Sequence, residues 1–223
     1  MDYIQYFGHL TVEVCLNNII SLFNINTLDK IYGEQRLVPS KFDINATKKC
    51  DFIFSTDERI ESCQPEIIER LVQRTHAIYI SPKPALDKVQ LPFKNKIEVK
   101  EGEVFNIKGL EIEVTKASQP RAIYPVGFVL KNKYKVYYAG QSYKFTQIGS
   151  IKCDIAILPI KGTQTMDYFD AAESCKELRP KIVIPIAYEN NLAGLDDLKE
   201  FSKILPSYVK TIILKPGQIA KLP

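Results

Sequence analysis

The chain has 223 residues, of which 45% are hydrophobic and 25% are charged, and its formal net charge is +4. These values are ordinary for a globular protein with a hydrophobic core, and the chain is long enough for one or two domains. No stretch approaches 18 uninterrupted apolar residues, which excludes a membrane-spanning helix at the level of sequence.

The first part of the chain combines predicted strands with one helix. Strands are predicted at 10–16 (LTVEVCL), where β-branched residues alternate, at 19–25 (IISLFNI), and in the short apolar runs 50–56 (CDFIFST) and 77–81 (AIYIS). Between the last two, 65–74 (PEIIERLVQR) has helical spacing of its apolar residues and a proline allowed in the first turn.

The second part repeats this rhythm. Two alternating antiparallel strands and their hairpin are followed by buried strands and helices, and two short strands end the chain. The predicted segments are 109–117 (strand), 126–140 (hairpin), 153–160 (strand), 166–180 (helix), 181–188 (strand), 196–206 (helix) and 210–223 (two strands). The basic run KNKYK at Lys131–Lys135 falls on the hairpin turn and is interpreted as a solvated turn.

Antiparallel hairpins mixed with strand–helix–strand units predict an α/β fold with two mixed sheets and helices outside them. No low-complexity linker divides the chain. We therefore predict a single domain over residues 1–223, built from two similar halves, about 1–110 and 111–223.

The start of the chain and its cysteines favour a cytoplasmic location. Polar residues follow Met1 instead of a basic segment and an apolar run, which predicts no signal peptide. The five cysteines are widely spaced and contain no Cys-x-x-Cys pair, which favours reduced thiols over a disulfide framework or a zinc ribbon.

Four segments, in chain order, resemble the metallo-β-lactamase superfamily, and most of all its small prokaryotic zinc-dependent hydrolases of the ascorbate-6-phosphate-lactonase-like group. FGHLTVEV resembles the Gly-His opening strand, and CDFIFSTDERIESCQPEIIERL resembles the strand, Thr-His-x-His-x-Asp-His loop and helix. VGFVLKNKYKVYYAGQS resembles a hairpin that ends in Ala-Gly-Asp-Thr, and residues 153–188 resemble the segment that ends in Pro-Met-His-Tyr. The resemblance implies a four-layer αββα sandwich.

The family binds one or two divalent metals, usually zinc, in the loop that follows the second of these strands. Its four ligand positions there, His, His, Asp and His, fall in this chain on Asp57, Arg59, Glu61 and Ser62. Only Glu61 keeps the chemical type of the family residue, so the resemblance in fold does not extend to this part of the metal site.

The other three ligand positions also differ from the family pattern. The bridging aspartate after Ala-Gly falls on Gln141, and the late histidine before tyrosine falls on Ala187. The remaining histidine falls on Ser118 or Gln119, and the sequence leaves that choice open.

The histidine count points the same way. His9 and His76 are the two histidines of the chain, and they lie far apart in sequence. Because zinc prefers nitrogen and sulfur donors in tetrahedral arrangements, we predict no metal site of the family type, and no cofactor.

Loss of the ligands would leave Asp57 and Glu61 without a cation. One hypothesis is that the Arg59 guanidinium balances both carboxylates, and the alternative is that all three side chains face solvent. Asp57, Glu61 and Gln141 are also oxygen donors of the kind that magnesium or calcium prefers, although Arg59 among them would repel a cation.

Two functions follow as expectations. The first is a non-catalytic protein that binds a small molecule or a protein partner. The alternative is a hydrolase of a small ester, lactone or phosphodiester that reuses the pocket without zinc or with an atypical metal, through Asp57, Glu61 or Cys63. No nucleic-acid or membrane partner is expected, and exposed strand edges would suit a homo-oligomer.

Overall fold

The computed structural model describes residues 1–31, 34–188 and 194–222. Its strands are β1 (Tyr3–Gly8), β2 (Thr11–Leu16), β3 (Ile19–Phe23), β4 (Lys30–Ile31), β5 (Glu34–Gln35), β6 (Phe52–Phe54), β7 (Ile78–Ser81), β8 (Lys96–Glu98), β9 (Val104–Ile107), β10 (Leu110–Lys116), β11 (Val126–Lys131), β12 (Lys135–Tyr138), β13 (Ile155–Pro159), β14 (Ile182–Ile186), β15 (Lys210–Thr211) and β16 (Ile219–Lys221). Its helices are α1 (Pro65–Thr75), α2 (Lys83–Leu86), α3 (Tyr168–Leu178) and α4 (Gly194–Ile204).

Two seven-stranded sheets carry the fold. The first has the order β16-β1-β2-β3-β6-β7-β8, and the second has the order β15-β14-β13-β12-β11-β10-β9. In each sheet one part is antiparallel and the other is parallel, with the change at the β3–β6 pair and at the β12–β13 pair. The two sheets are therefore mixed, as the sequence predicts.

An aromatic cluster joins the two sheets. The ring of Phe23 in β3 lies 4.5 Å from that of Tyr138 in β12, and the ring of Phe54 in β6 lies 4.9 Å from that of Phe128 in β11. All four side chains are fully buried. Since β6 and β12 are the strands that lead into the two principal loops of the candidate site, this packing fixes those strand ends against each other.

Helix α1 covers the outer face of the first sheet. Its apolar stripe of Ile67, Ile68, Leu71 and Val72 is buried in a second hydrophobic cluster that also contains side chains of β3, β6 and β7. The helix ends where His76 adopts a left-handed conformation, with its backbone N–H donated to the carbonyl of Val72 at 2.8 Å. The stripe thereby anchors the segment directly after the candidate site loop.

Helix α3 packs on the second sheet, with Ala171, Ala172, Cys175 and Leu178 buried in the main hydrophobic cluster. Helices outside two facing sheets make an α/β, metallo-β-lactamase-like αββα sandwich, and this confirms the predicted fold class. None of the helices in the described part of the chain is long and apolar enough to cross a membrane.

The predicted strands and helices are all present, and Lys131–Lys135 forms the predicted hairpin turn. Several elements were not predicted, namely β1, the short β4–β5 pair, α2, β8 and β9. The alternating segment that forms β2 is buried at all six positions, because both faces of this strand are covered. Pro223, at the end of the predicted segment 210–223, lies outside the described residues.

Candidate functional site

A pair of side chains from neighbouring strand ends holds the loop after β6 in place. Asn24, directly after β3, donates from Nδ2 to Thr56 Oγ1 at 2.9 Å and accepts the Thr56 backbone N–H on Oδ1 at 2.9 Å. The carbonyl of Thr56 accepts the N–H of Val126, in the other sheet, at 2.9 Å. The residue that follows, Asp57, is thereby fixed at the point where the sheets meet.

The carboxylate of Asp57 is bound on both oxygens. Oδ1 accepts from the backbone N and from Nε of Arg59, at 3.0 and 2.9 Å. Oδ2 accepts from Arg59 Nη2 at 3.1 Å and from Ser62 Oγ at 2.9 Å. Thr56 Oγ1 also lies within hydrogen-bond distance of Oδ2, at 3.2 Å, and these five contacts fill the carboxylate, which offers about four lone-pair sites.

The Asp57–Arg59 pair is also buried, since only 1% of the surface of Asp57 and 7% of that of Arg59 is exposed. It is a bidentate ion pair, the geometry for which a guanidinium and a carboxylate are matched. The structure shows the Asp57 half of the hypothesis in which Arg59 balances both carboxylates, and Asp57, Arg59 and Glu61 are buried instead of facing solvent.

Contrary to the expectation, no hydrogen bond among the described residues joins Glu61 to Asp57 or Arg59. It is buried, and its Oε2 has no hydrogen-bond partner among the residues that the structure describes. The neighbouring Glu58, which was not a predicted site residue, is buried too and accepts the backbone N–H of Ile123 at 2.8 Å. Glu58 therefore ties the loop after β6 to the loop between β10 and β11.

Gly140 brings the loop after β12 against the loop of Asp57. Its φ is +63°, and a Cβ there would lie 2.6 Å from Thr56 Oγ1, so only glycine fits without a shift. The next residue, Gln141, is buried beside this contact. The position that the resemblance equates with the bridging aspartate thus does lie next to the loop of Asp57.

The side-chain amide of Gln119 connects the loop after β12 with the loop after β13. Nε2 of Gln119 donates to the carbonyls of Gln141 and Gln164, at 2.8 Å each. The backbone N–H of Ser118 donates to Ser142 Oγ at 2.9 Å. Both residues proposed for the remaining histidine position therefore contact the loop after β12, and the side chain of Gln119 is occupied in bracing backbone.

Ala187 follows β14 and offers only a methyl group. Its backbone, at φ +63°, donates its N–H to Tyr6 Oη at 3.0 Å, and that hydroxyl donates to the carbonyl of His9 at 3.0 Å. The next carbonyl, that of Leu10, accepts from Tyr138 Oη at 2.6 Å. Burial and, after it, the charge of Asp57 raise the pKa of Tyr138 well above its ordinary value, so this hydroxyl stays protonated and donates to Leu10.

These residues do not fit the metal that the fold family implies. No group of three or more His, Cys, Asp or Glu side chains with metal-binding geometry exists within residues 1–31, 34–188 and 194–222. Both oxygens of Asp57 are engaged, and the Arg59 guanidinium lies where it would repel a cation. His76 caps the far end of α1, about 18 Å along the helix from the loop.

Cys63 is buried behind the loop rather than presented to it. Its thiol lies 3.4 Å from Tyr79 Oη, in the cluster under α1. Burial is the main cause that raises its pKa to about 11, so the thiol is neutral near pH 7. This disfavours Cys63 as a nucleophile.

A family model described as the beta-lactamase superfamily domain matches residues 4–187. The chain belongs to the metallo-β-lactamase superfamily. Among curated relatives in this superfamily, a "UPF0173 metal-dependent hydrolase" of Staphylothermus marinus is 29% identical over 236 aligned residues, and the alignment spans 100% of both chains. One with the same name from Caldivirga maquilingensis is 26% identical over 100% of this chain and 99% of its own.

Two solved structures share the fold of this chain. Igni18, described as a novel metallo hydrolase from Ignicoccus hospitalis, superposes with a TM-score of 0.78 at 23% identity, over 98% of this chain and 97% of its own. The isothiocyanate hydrolase from Delia radicum gut bacteria superposes with a TM-score of 0.78 at 13% identity, over 99% of this chain and 98% of its own. At these identities the likeness concerns the fold alone.

Proposed function

We propose that this chain is a metallo-β-lactamase-fold protein that has lost the zinc site and acts without catalysis, by binding a small molecule or a protein partner. The observation that carries the proposal is the buried pair of Asp57 and Arg59. It occupies two positions that hold zinc-binding histidines in the pattern that this chain resembles. A fixed internal cation there takes the electrostatic role that a metal would otherwise have.

The chemistry of the remaining positions supports the same proposal. Zinc hydrolases use a metal-bound water as nucleophile, and that water needs a metal held by several good donors. The remaining ligand positions of this chain offer a hydroxyl at Ser62, an amide at Gln141, a methyl group at Ala187 and a carboxylate at Glu61. Such a set gives no tetrahedral nitrogen or sulfur site.

A second candidate is favoured by the names of the relatives, which are metal-dependent hydrolases. In that case the chain would hydrolyse a small ester, lactone or phosphodiester through a zinc-free pocket or one with an atypical metal. Asp57 or Glu61 would then act on water or substrate. The engagement of Asp57 by five donors and the buried thiol of Cys63 weigh against this candidate, because neither group is free to act.

The two candidates are separated by metal analysis combined with a substrate screen. The purified protein is incubated with zinc, manganese or magnesium, dialysed, analysed for bound metal, and assayed on lactone, phosphodiester and thioester substrates. We expect substoichiometric metal, no turnover, and a melting temperature that a chelator leaves unchanged. One tightly held zinc per chain would overturn the proposal, and turnover abolished by Asp57→Ala would favour the hydrolase.

We extend the proposal to the setting of the protein. A single domain spanning the chain is supported by a main hydrophobic cluster that draws side chains from both sheets. A cytoplasmic location is supported by five cysteines that all remain free thiols. A homo-oligomer is proposed from the exposed edges of both sheets, and equilibrium sedimentation tests it.

A further inference from the structure

A groove on the outer face of the first half presents two arginines that the candidate site does not use. It has a volume of about 270 Å³ and is lined by Ile44, Asn45, Arg70, Gln73 and Arg74. None of these is a predicted metal-ligand position. The groove lies on the last turns of α1, and by the helical rise Arg74 is about 15 Å along the axis from the start of the helix.

The two guanidinium groups are adjacent and differ in how they are held. Residues four apart on a helix are surface neighbours, so Arg70 and Arg74 form a like-charge pair that costs a few tenths of a kcal/mol. Arg74 donates from Nη2 to the carbonyl of Asn45 at 2.9 Å, and its place in the last turn suits the helix dipole. Arg74 therefore has a local structural role.

Arg70 has no such role in the described part of the chain. It makes no hydrogen bond or ion pair with any residue that the structure describes. Glu66 lies four residues before it, the spacing and order that favour an ion pair on a helix, yet the two do not pair. No acidic side chain lines the groove, so its two positive charges are not balanced within it.

We propose that this groove binds the phosphate group of a small phosphorylated molecule. Two arginines supply a charge of +2 and planar forks of donors, which suit an oxyanion with several oxygens. Gln73 adds an amide donor, and Ile44 supplies an apolar wall for the remainder of the ligand. The volume is slightly below that of drug-sized pockets, which favours a small ligand, and two arginines are too few for the extended basic stripe of a nucleic-acid surface.

The test is a titration of the intact protein with inorganic phosphate at low ionic strength, followed through the backbone amide signals of α1 in NMR spectra. Wild type, Arg70→Gln and Arg179→Gln are compared. Arg179 is an exposed arginine at the end of α3, on the other sheet, and serves as the matched control. Phosphate also acts as a general stabilising salt, and the comparison between variants removes that effect.

We expect saturable binding to wild type and to Arg179→Gln, and an affinity about fivefold weaker in Arg70→Gln, as for the loss of one exposed charge contact. An absence of saturable binding to wild type, or equal binding by Arg70→Gln, would overturn the proposal. A second arm uses a short single-stranded oligonucleotide. Much tighter binding of that probe than of phosphate, lost in Arg70→Gln, would reassign the groove to nucleic acid and also overturn it.

Discussion

Replacement of Arg59 by methionine removes the cation that is paired with Asp57 while keeping an unbranched side chain of similar length. The carboxylate of Asp57, in a residue that is 1% exposed, would then keep the Ser62 and Thr56 hydroxyls and one backbone N–H as donors. It would lose the two guanidinium contacts at 2.9 and 3.1 Å. Breaking a buried pair from one side costs about 3–5 kcal/mol, and the donors that remain favour the lower end. For a chain of this size, about 3 kcal/mol corresponds to a fall in melting temperature of about 6–12 °C.

The assay is thermal and urea unfolding of wild type, Arg59→Met, Asp57→Asn and the double variant. In the double variant the charge left behind is removed too, so we expect it to recover a large part of the stability lost in Arg59→Met, with a coupling energy above about 1 kcal/mol. Arg70→Met, at an exposed position of α1 without a polar contact among the described residues, is the control for loss of an arginine as such. A melting temperature of Arg59→Met within about 1 °C of wild type would mean that the ion pair contributes nothing to the stability of the fold.

Three further outcomes are expected. In urea unfolding, Gly140→Ala should lower the free energy of unfolding by about 2–4 kcal/mol, because a Cβ would lie 2.6 Å from Thr56 Oγ1 and the residue has a positive φ. Gly102→Ala, at φ +88° with open space around it, should bear only the cost of the positive φ, about 1 kcal/mol. Equal losses in the two variants would contradict the close approach at Gly140. With a pKa of about 11, Cys63 should have about one thiolate in a thousand at pH 8 and should resist iodoacetamide in the folded protein. Mass spectrometry measures the extent of modification, and rapid modification of Cys63 would contradict its burial. The backbone amide of Ile123 should exchange slowly with deuterium although 78% of that residue is exposed, because it donates to Glu58. Glu58→Ala should remove this protection. Equal exchange rates in both proteins would mean that the contact between Glu58 and Ile123 does not hold the loop.

The sequence could offer the Asp57–Arg59 pair as one of two hypotheses because both residues fall in one short loop whose place in the fold is set by the flanking strand and helix. Opposite charges two residues apart need no long-range information to meet. The loop could be placed because its surroundings, a buried apolar run and a helix with a clear apolar stripe, are strong local signals.

The contacts that hold the loops together could not be predicted in this way. Glu58 accepts from Ile123, 65 residues further along the chain, and Gln119 braces the carbonyl of Gln141 instead of contributing its side chain to a common pocket. Such contacts join loops from different strands, and no local pattern marks them. The role of Glu61 was overestimated for a related reason, since sequence spacing gives the position of a side chain on a loop but not its partner.

The strand β2 shows the same limit at the level of the fold. Its alternating pattern is typical of a strand with one solvated face, yet all six residues are buried, including Thr11 and Glu13. Glu13 is kept there by the hydroxyl of Tyr3, which donates to it at 2.6 Å. Burial of a polar face depends on what covers it, and that is decided by distant parts of the chain.

The internal ion pair of Asp57 and Arg59 stands where the resemblance to the superfamily places metal ligands. Its most direct test is a crystal of the protein soaked in zinc and measured on both sides of the zinc absorption edge. We expect a bidentate contact between Arg59 and Asp57 and no anomalous peak beside Asp57 and Gln141. A strong peak there, with tetrahedral coordination and Arg59 turned away, would contradict this expectation.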